Sequence, residues 1–147
     1  MLELKITRTS RLSRYWENEI RTSIPLDIVD EFNLRGQLME QNYLLSYKII
    51  KFKNFLILNS KELPRDEIVQ INKFFSTSEM VQRYENVKIW VNKMQNHYTL
   101  KFNPATSLFL HLEPDNLIGY ATLKIDNLKF LVISGDLKIR LNDNNQD

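Results

Sequence analysis

Four of the eight arginines, Arg8, Arg11, Arg14 and Arg21, fall within the first 21 residues. A guanidinium fork can grip a phosphate or a guanine edge through two parallel hydrogen bonds, so this cluster predicts an anion-contacting surface. Arg8, Arg11 and Arg14 recur at every third position, and Thr9, Ser10, Ser13 and Thr22 add hydroxyls suited to phosphate oxygens. Glu17 and Glu19 oppose that use unless they turn away. The same stretch also reads as a solvated loop with surface ion pairs, or as a site for an acidic protein. Tyr15 and Trp16 inside it can stack on bases or wedge a groove, although such aromatics more often pack. Lys88, Lys93, His97 and Lys101 form a sparser cationic group later in the chain. Lysine carries less weight, because Lys, Ile and Asn are abundant throughout.

Other chemistries find little support. The chain has no cysteine, which excludes disulfides, thiolate nucleophiles and Cys-based metal centres. His97 and His111 are the only candidates for general-base work at neutral pH, and His111-Leu112-Glu113 lacks the spacing of a helical zinc site. Gly36, Gly119 and Gly135 are isolated and form no phosphate loop, and no serine sits in a nucleophile elbow. The expectation is a chain that is not an enzyme and needs neither metal nor cofactor. No apolar run approaches the roughly 18 residues that span a bilayer, and Met1–Lys5 lacks the layout of a secretion signal. A soluble, cytoplasmic protein without membrane partners is expected. The net charge of +2 does not by itself mark a nucleic-acid binder.

The elements that must position these residues follow a pattern used twice. Residues 2–8 alternate as a strand, 9–19 read as a polar loop, and 20–24 form a short β-prone run ending at Pro25. Pro25 opens a helix with Ile28, Val29 and Phe32 on one face, closed by Arg35-Gly36. Strands 43–51 and 54–58 complete the unit as a hairpin. Strands 87–92 and 97–102, a polar break at 93–96, Asn103 as helix cap, Pro104 and the hairpin 117–125/128–133 around Asp126-Asn127 repeat it. Matching Pro25 to Pro104 sets the two copies 79 residues apart. Between them, 59–86 reads as a helical bridge. One helix carries Ile68, Ile71 and Phe75, and a capping box at Ser76–Glu79 opens a second with Met80, Val81 and Tyr84. Burial against the sheet is its expected use. Residues 137–141 suit a last strand, and 142–147 a frayed tail.

Each unit resembles the AbrB-like swapped-hairpin domain of bacterial and archaeal regulators and some antitoxins. The resemblance rests on IPLDIVDEFNLRGQ (24–37) and FNPATSLFLHLEPDN (102–116) with their flanking strands. The turns depart from the family's Pro-Gly-Asp, and the apolar spacing after Pro104 is compressed. The resemblance implies a mainly β fold with short helices (α+β), two swapped-hairpin units closing one pseudo-dimeric barrel, and a helical insertion. The units are 1–58 and 87–141, the bridge 59–86 and the tail 142–147. A unit of about 45 residues has open edges and too small a core to stand alone, so pairing within the chain is expected, as a monomeric pseudo-dimer or a homodimer. The resemblance further implies a double-stranded DNA-binding regulator or nucleoid-associated protein. Arg8, Arg11, Arg14 and Arg21, with Lys88, Lys93 and Lys101 at the matching places, would contact phosphates and groove edges. A likeness to the double-psi barrels of certain ATPases keeps a second reading open, a protein-binding module such as an antitoxin-like inhibitor with a toxin as partner.

Overall fold

The computed structural model describes residues 3–4, 6–15, 19–50, 54–59, 63–74, 81–137 and 139–140. The strands are β1 (Glu3–Leu4), β2 (Ile6–Arg11), β3 (Ser13–Tyr15), β4 (Glu19–Ser23), β5 (Tyr43–Ile50), β6 (Asn54–Asn59), β7 (Val81–Met94), β8 (His97–Phe102), β9 (Leu117–Ile125), β10 (Leu128–Ser134) and β11 (Ile139–Arg140). The helices are α1 (Leu26–Glu31), α2 (Leu34–Gln37), α3 (Arg65–Phe74) and α4 (Pro104–Leu110). The fold is mainly β. One antiparallel sheet of nine strands runs in the order β2-β9-β10-β6-β5-β7-β8-β4-β3, and β1 pairs with β11 apart from it. No helix among the described residues is long and apolar enough to cross a membrane.

Period-two alternation sorts the side chains onto two faces. One face gathers the larger core, with Leu12, Ile20, Leu44, Leu56, Ile89, Leu100, Phe102, Ile118 and Ile133. On the other, the register row Tyr47–Ile57–Val132–Ala121 lies in a second core completed by Leu63 and Ile71. Ile71 belongs to α3, so the bridge helix packs on the sheet as expected. The outer face of β4, β8 and β7 lies outside this second core.

The order of pairings reads the same from either half. Exchanging β2/β3, β4, β5 and β6 for β7, β8, β9 and β10 returns the same neighbours throughout. Thr22 directly opposes Leu100, and Ile57 directly opposes Val132, at the two centres of this exchange. The register shift between Ile6 and Arg8 has its counterpart between Leu45 and Tyr47. Buried Ile28 and Val29 correspond to Thr106 and Ser107, and left-handed Asn33 (φ 54°) to left-handed His111 (φ 57°). By these markers Pro25 corresponds to Asn103, one residue from the match made on the prolines alone.

Several local expectations need correction. The polar stretch 9–19 is not a loop: 9–11 and 13–15 are strand, because Ser10 and Leu12 point inward between outward-facing polar neighbours. The first helix ends at Glu31, two residues before left-handed Asn33, and Arg35-Gly36 lies within α2. Val81 and Tyr84 belong to β7 and not to a helix. Phe75, the Ser76–Glu79 box and Met80 lie outside the described residues, as do 142–147.

The sheet is not closed by backbone pairing, yet its two edges, β2 and β3, are separated along the chain only by Leu12. Ser10 Oγ lies 2.6 Å from Thr22 Oγ1 and 2.8 Å from Tyr120 Oη, and Thr22 Oγ1 donates to the Arg11 carbonyl at 2.9 Å. These bonds tie β2 and β9 to β4. Thr22 and Tyr120 are buried, and burial pushes the Tyr120 phenol up to about 12 against the two hydroxyl contacts that lower it. A folded value above the unfolded one gives stability that is complete below about pH 10 and lost as pH rises towards 12. The interval corresponds to about 3 kcal/mol. In urea denaturation at about pH 8 and about pH 11, the wild type should lose stability over this interval that Tyr120→Phe does not lose. At about pH 8 the variant should already be about 1–2 kcal/mol less stable, for want of its hydroxyl bond.

Candidate functional site

Residues directly opposite each other in an antiparallel pair project from the same face. Arg21 opposes Lys101, Lys101 opposes Trp90, and Trp90 opposes Tyr43, so these four form one row across β4, β8, β7 and β5. On the neighbouring strand Ser13 opposes Arg21, and Arg11 shares its face because buried Leu12 lies between them. Trp90 is 49% exposed. The Tyr43 and Trp90 rings meet edge to face at 5.6 Å, and Lys88 Nζ stands 4.3 Å above the Tyr43 ring. Glu19 Oε1 lies 3.4 Å from Arg21 Nε. The result is an outer face bearing Arg11, Arg21, Lys88 and Lys101 around an exposed indole, suited to phosphates and to flat or apolar edges.

The other three predicted residues lie elsewhere. Arg8 opposes buried Tyr120, so it starts from the core side of β2, and its guanidinium pairs with Asp27 of α1. Arg14 opposes Ile20 and lines a cleft beside α4. Lys93 opposes buried Tyr98 and donates its ammonium to the Leu38 carbonyl. Spacing by three cannot keep residues on one face of a strand, which is why the arginine group divides. His97 Nε2 lies 2.9 Å from Ser23 Oγ, and His111 caps the C-terminus of α4. Trp16 lies outside the described residues. Tyr43 was not singled out by the sequence, since only the register of β5 against β7 sets it beside Trp90.

The cleft lies between the β3–β4 hairpin and α4, with a volume of about 360 Å³. Asn103 caps α4 as expected, its side chain accepting from the Thr106 amide at 2.8 Å. Exposed Leu108 and buried Leu112 line the cleft, and so does Ser107, whose buried hydroxyl has no hydrogen-bond partner. The chain matches no family model, no characterised protein and no solved structure. Gly135 sets the seat of α4: a Cβ there would stand 2.3 Å from the Leu110 carbonyl oxygen, which is backbone and cannot swing aside. Gly135→Ala should therefore cost about 1–3 kcal/mol in chemical denaturation, by forcing α4 away from β10.

Proposed function

We propose that this chain is a tandem of two AbrB-like units folded against each other, and that it binds double-stranded DNA. The contact surface is the outer face of β3, β4, β8 and β7. The duplication is supported by the order of strand pairings, which is unchanged when the two halves are exchanged. A pseudo-dimeric barrel follows if the hydroxyl bridge at Leu12 serves as its seam. The DNA reading rests above all on the row Arg21–Lys101–Trp90–Tyr43, with Arg11 and Lys88 beside it. Affinity comes from phosphate neutralisation by the four cations, and sequence preference from guanidinium forks and duplex shape. Arg8, Arg14 and Lys93 are not part of this surface. A protein-binding role draws on a separate feature, the cleft beside α4.

Mobility shift of a short duplex at stepped salt concentrations tests the reading. Neutralising about four phosphates predicts roughly tenfold weaker binding for each doubling of salt. Arg21→Ala and Lys101→Ala should each weaken binding several-fold and flatten the salt slope by about one, while Arg8→Ala leaves both unchanged. Absence of binding at low salt, or an equal effect of Arg8→Ala, overturns it.

A further inference from the structure

The two halves differ most where the helix returns to the sheet. The segment from Leu34 to Asn42 has only Leu112 to Asn116 as its counterpart, so the first half carries a longer connection. Its extra residues include most of α2. By the strand registers, Arg14 corresponds to Lys93, Ile20 to Tyr98, Ser107 to Val29 and Leu112 to Leu34. The place in the first half that corresponds to the α4 cleft is filled by the chain itself. Leu34 stands where Leu112 stands, and Leu38, which has no counterpart, is buried there; the Leu38 carbonyl accepts from Lys93 Nζ, and the Arg35 guanidinium sits 5.7 Å from the centre of the Tyr98 ring.

In the second half the chain passes directly from Leu112 into the turn before β9. Leu108 is left 77% exposed, and the Ser107 hydroxyl, where Val29 stands in the first half, is buried without a partner. Arg14 lines the cleft from the strand side, as Lys93 does in the other half.

We propose that the cleft between the β3–β4 hairpin and α4 is a docking site for a peptide segment of a partner protein. The segment is one helical turn that presents a single leucine-type side chain. The chain's own Leu38, which has no counterpart in the second half, is the template for the occupant. The leucine covers Ile20, Leu108 and Leu112, its carbonyl accepts from Arg14 and another backbone carbonyl accepts from Ser107. Glu113 stands where Arg35 stands in the other half, which favours a basic residue beside the leucine. A second copy of this chain cannot donate its own Leu38, because that side chain is already buried. The inference rests on the correspondence of the halves and not on DNA binding, so either can fail alone.

The probe is a synthetic peptide with the sequence of residues 32–41, FNLRGQLMEQ, titrated into the full chain by calorimetry. Binding with a Kd of about 10–500 µM is expected, the range open to a short peptide that must order on docking. Replacing the peptide leucine that corresponds to Leu38 by alanine should abolish it. Leu108→Lys, at an exposed position, should weaken it about fivefold or more with the circular dichroism spectrum unchanged, and Arg14→Ala should weaken it similarly. No heat of binding at millimolar peptide overturns the proposal. So does equal binding of the alanine peptide, or undiminished binding to Leu108→Lys.

Discussion

The structure depends on one bent strand serving two neighbours. Residues 6–11 pair with β9 and residues 13–15 pair with β4, so the bend at Leu12 is where the two ends of the sheet meet. An unpaired edge exposes backbone donors and acceptors, and a bend is where a ladder has fewest bonds to offer. Here the Leu12 amide donates to the Asn116 carbonyl and the Leu12 carbonyl accepts from Asp115, so the bend itself leaves no orphan group. The hydroxyls of Ser10, Thr22 and Tyr120 then supply what the ladder cannot. Because Tyr120 and Thr22 are buried, losing one member strands the others in a dry site, where an unmet hydroxyl is costly.

The other half meets the same problem without a hydrogen-bonded trio. The counterparts of Ser10, Thr22 and Tyr120 are Ile89, Leu100 and Ser46, all buried. Ser46 is the only hydroxyl left of the trio, and its Oγ has no partner. One seam is therefore specified by directional bonds and the other by packing. Polar specification fixes register more sharply than apolar contact, which tolerates small slips. That difference also breaks the equivalence of the halves, so the β2 seam cannot exchange its partners for those of β7 without stranding hydroxyls.

Hairpins and helix starts were legible because their signals are local. Asp126-Asn127 sits at the turn between β9 and β10, with Asp126 in the left-handed region, and Asn103 makes the cap bond its type predicts. The sheet order was not legible, since only long-range register decides which strands meet. The arginine stretch misled for a definite reason. With five polar residues around Leu12 it has the composition of a loop, and its strand character comes from pairing with β9 and β4, distant in sequence, which turns half-buried Ser10 and buried Leu12 inward. Once it is a strand, period two replaces period three, and Arg8 and Arg11 separate onto opposite faces. Val81 and Tyr84 misled in the opposite way, their helical spacing overridden by pairing of β7 with β5.

The halves differ most in what they attach to a frame of matching strand pairings. Strand registers, the inner core rows and the left-handed helix ends correspond, and each is a place where a shift would expose apolar surface or strain the backbone. The face of Arg21 and Lys101 and the cleft of Arg14 and Ser107 lie outside those constraints. On the face, Arg11 has Trp90 as its counterpart, so one side offers a charge where the other offers an indole. In the cleft, a longer connection fills one half and leaves the other open. With identical halves the cleft would occur twice, and the face, which lies across the Thr22–Leu100 centre, would be symmetric about it. Here the cleft is open once and the face carries unlike groups on its two sides, so one core bears two asymmetric surfaces.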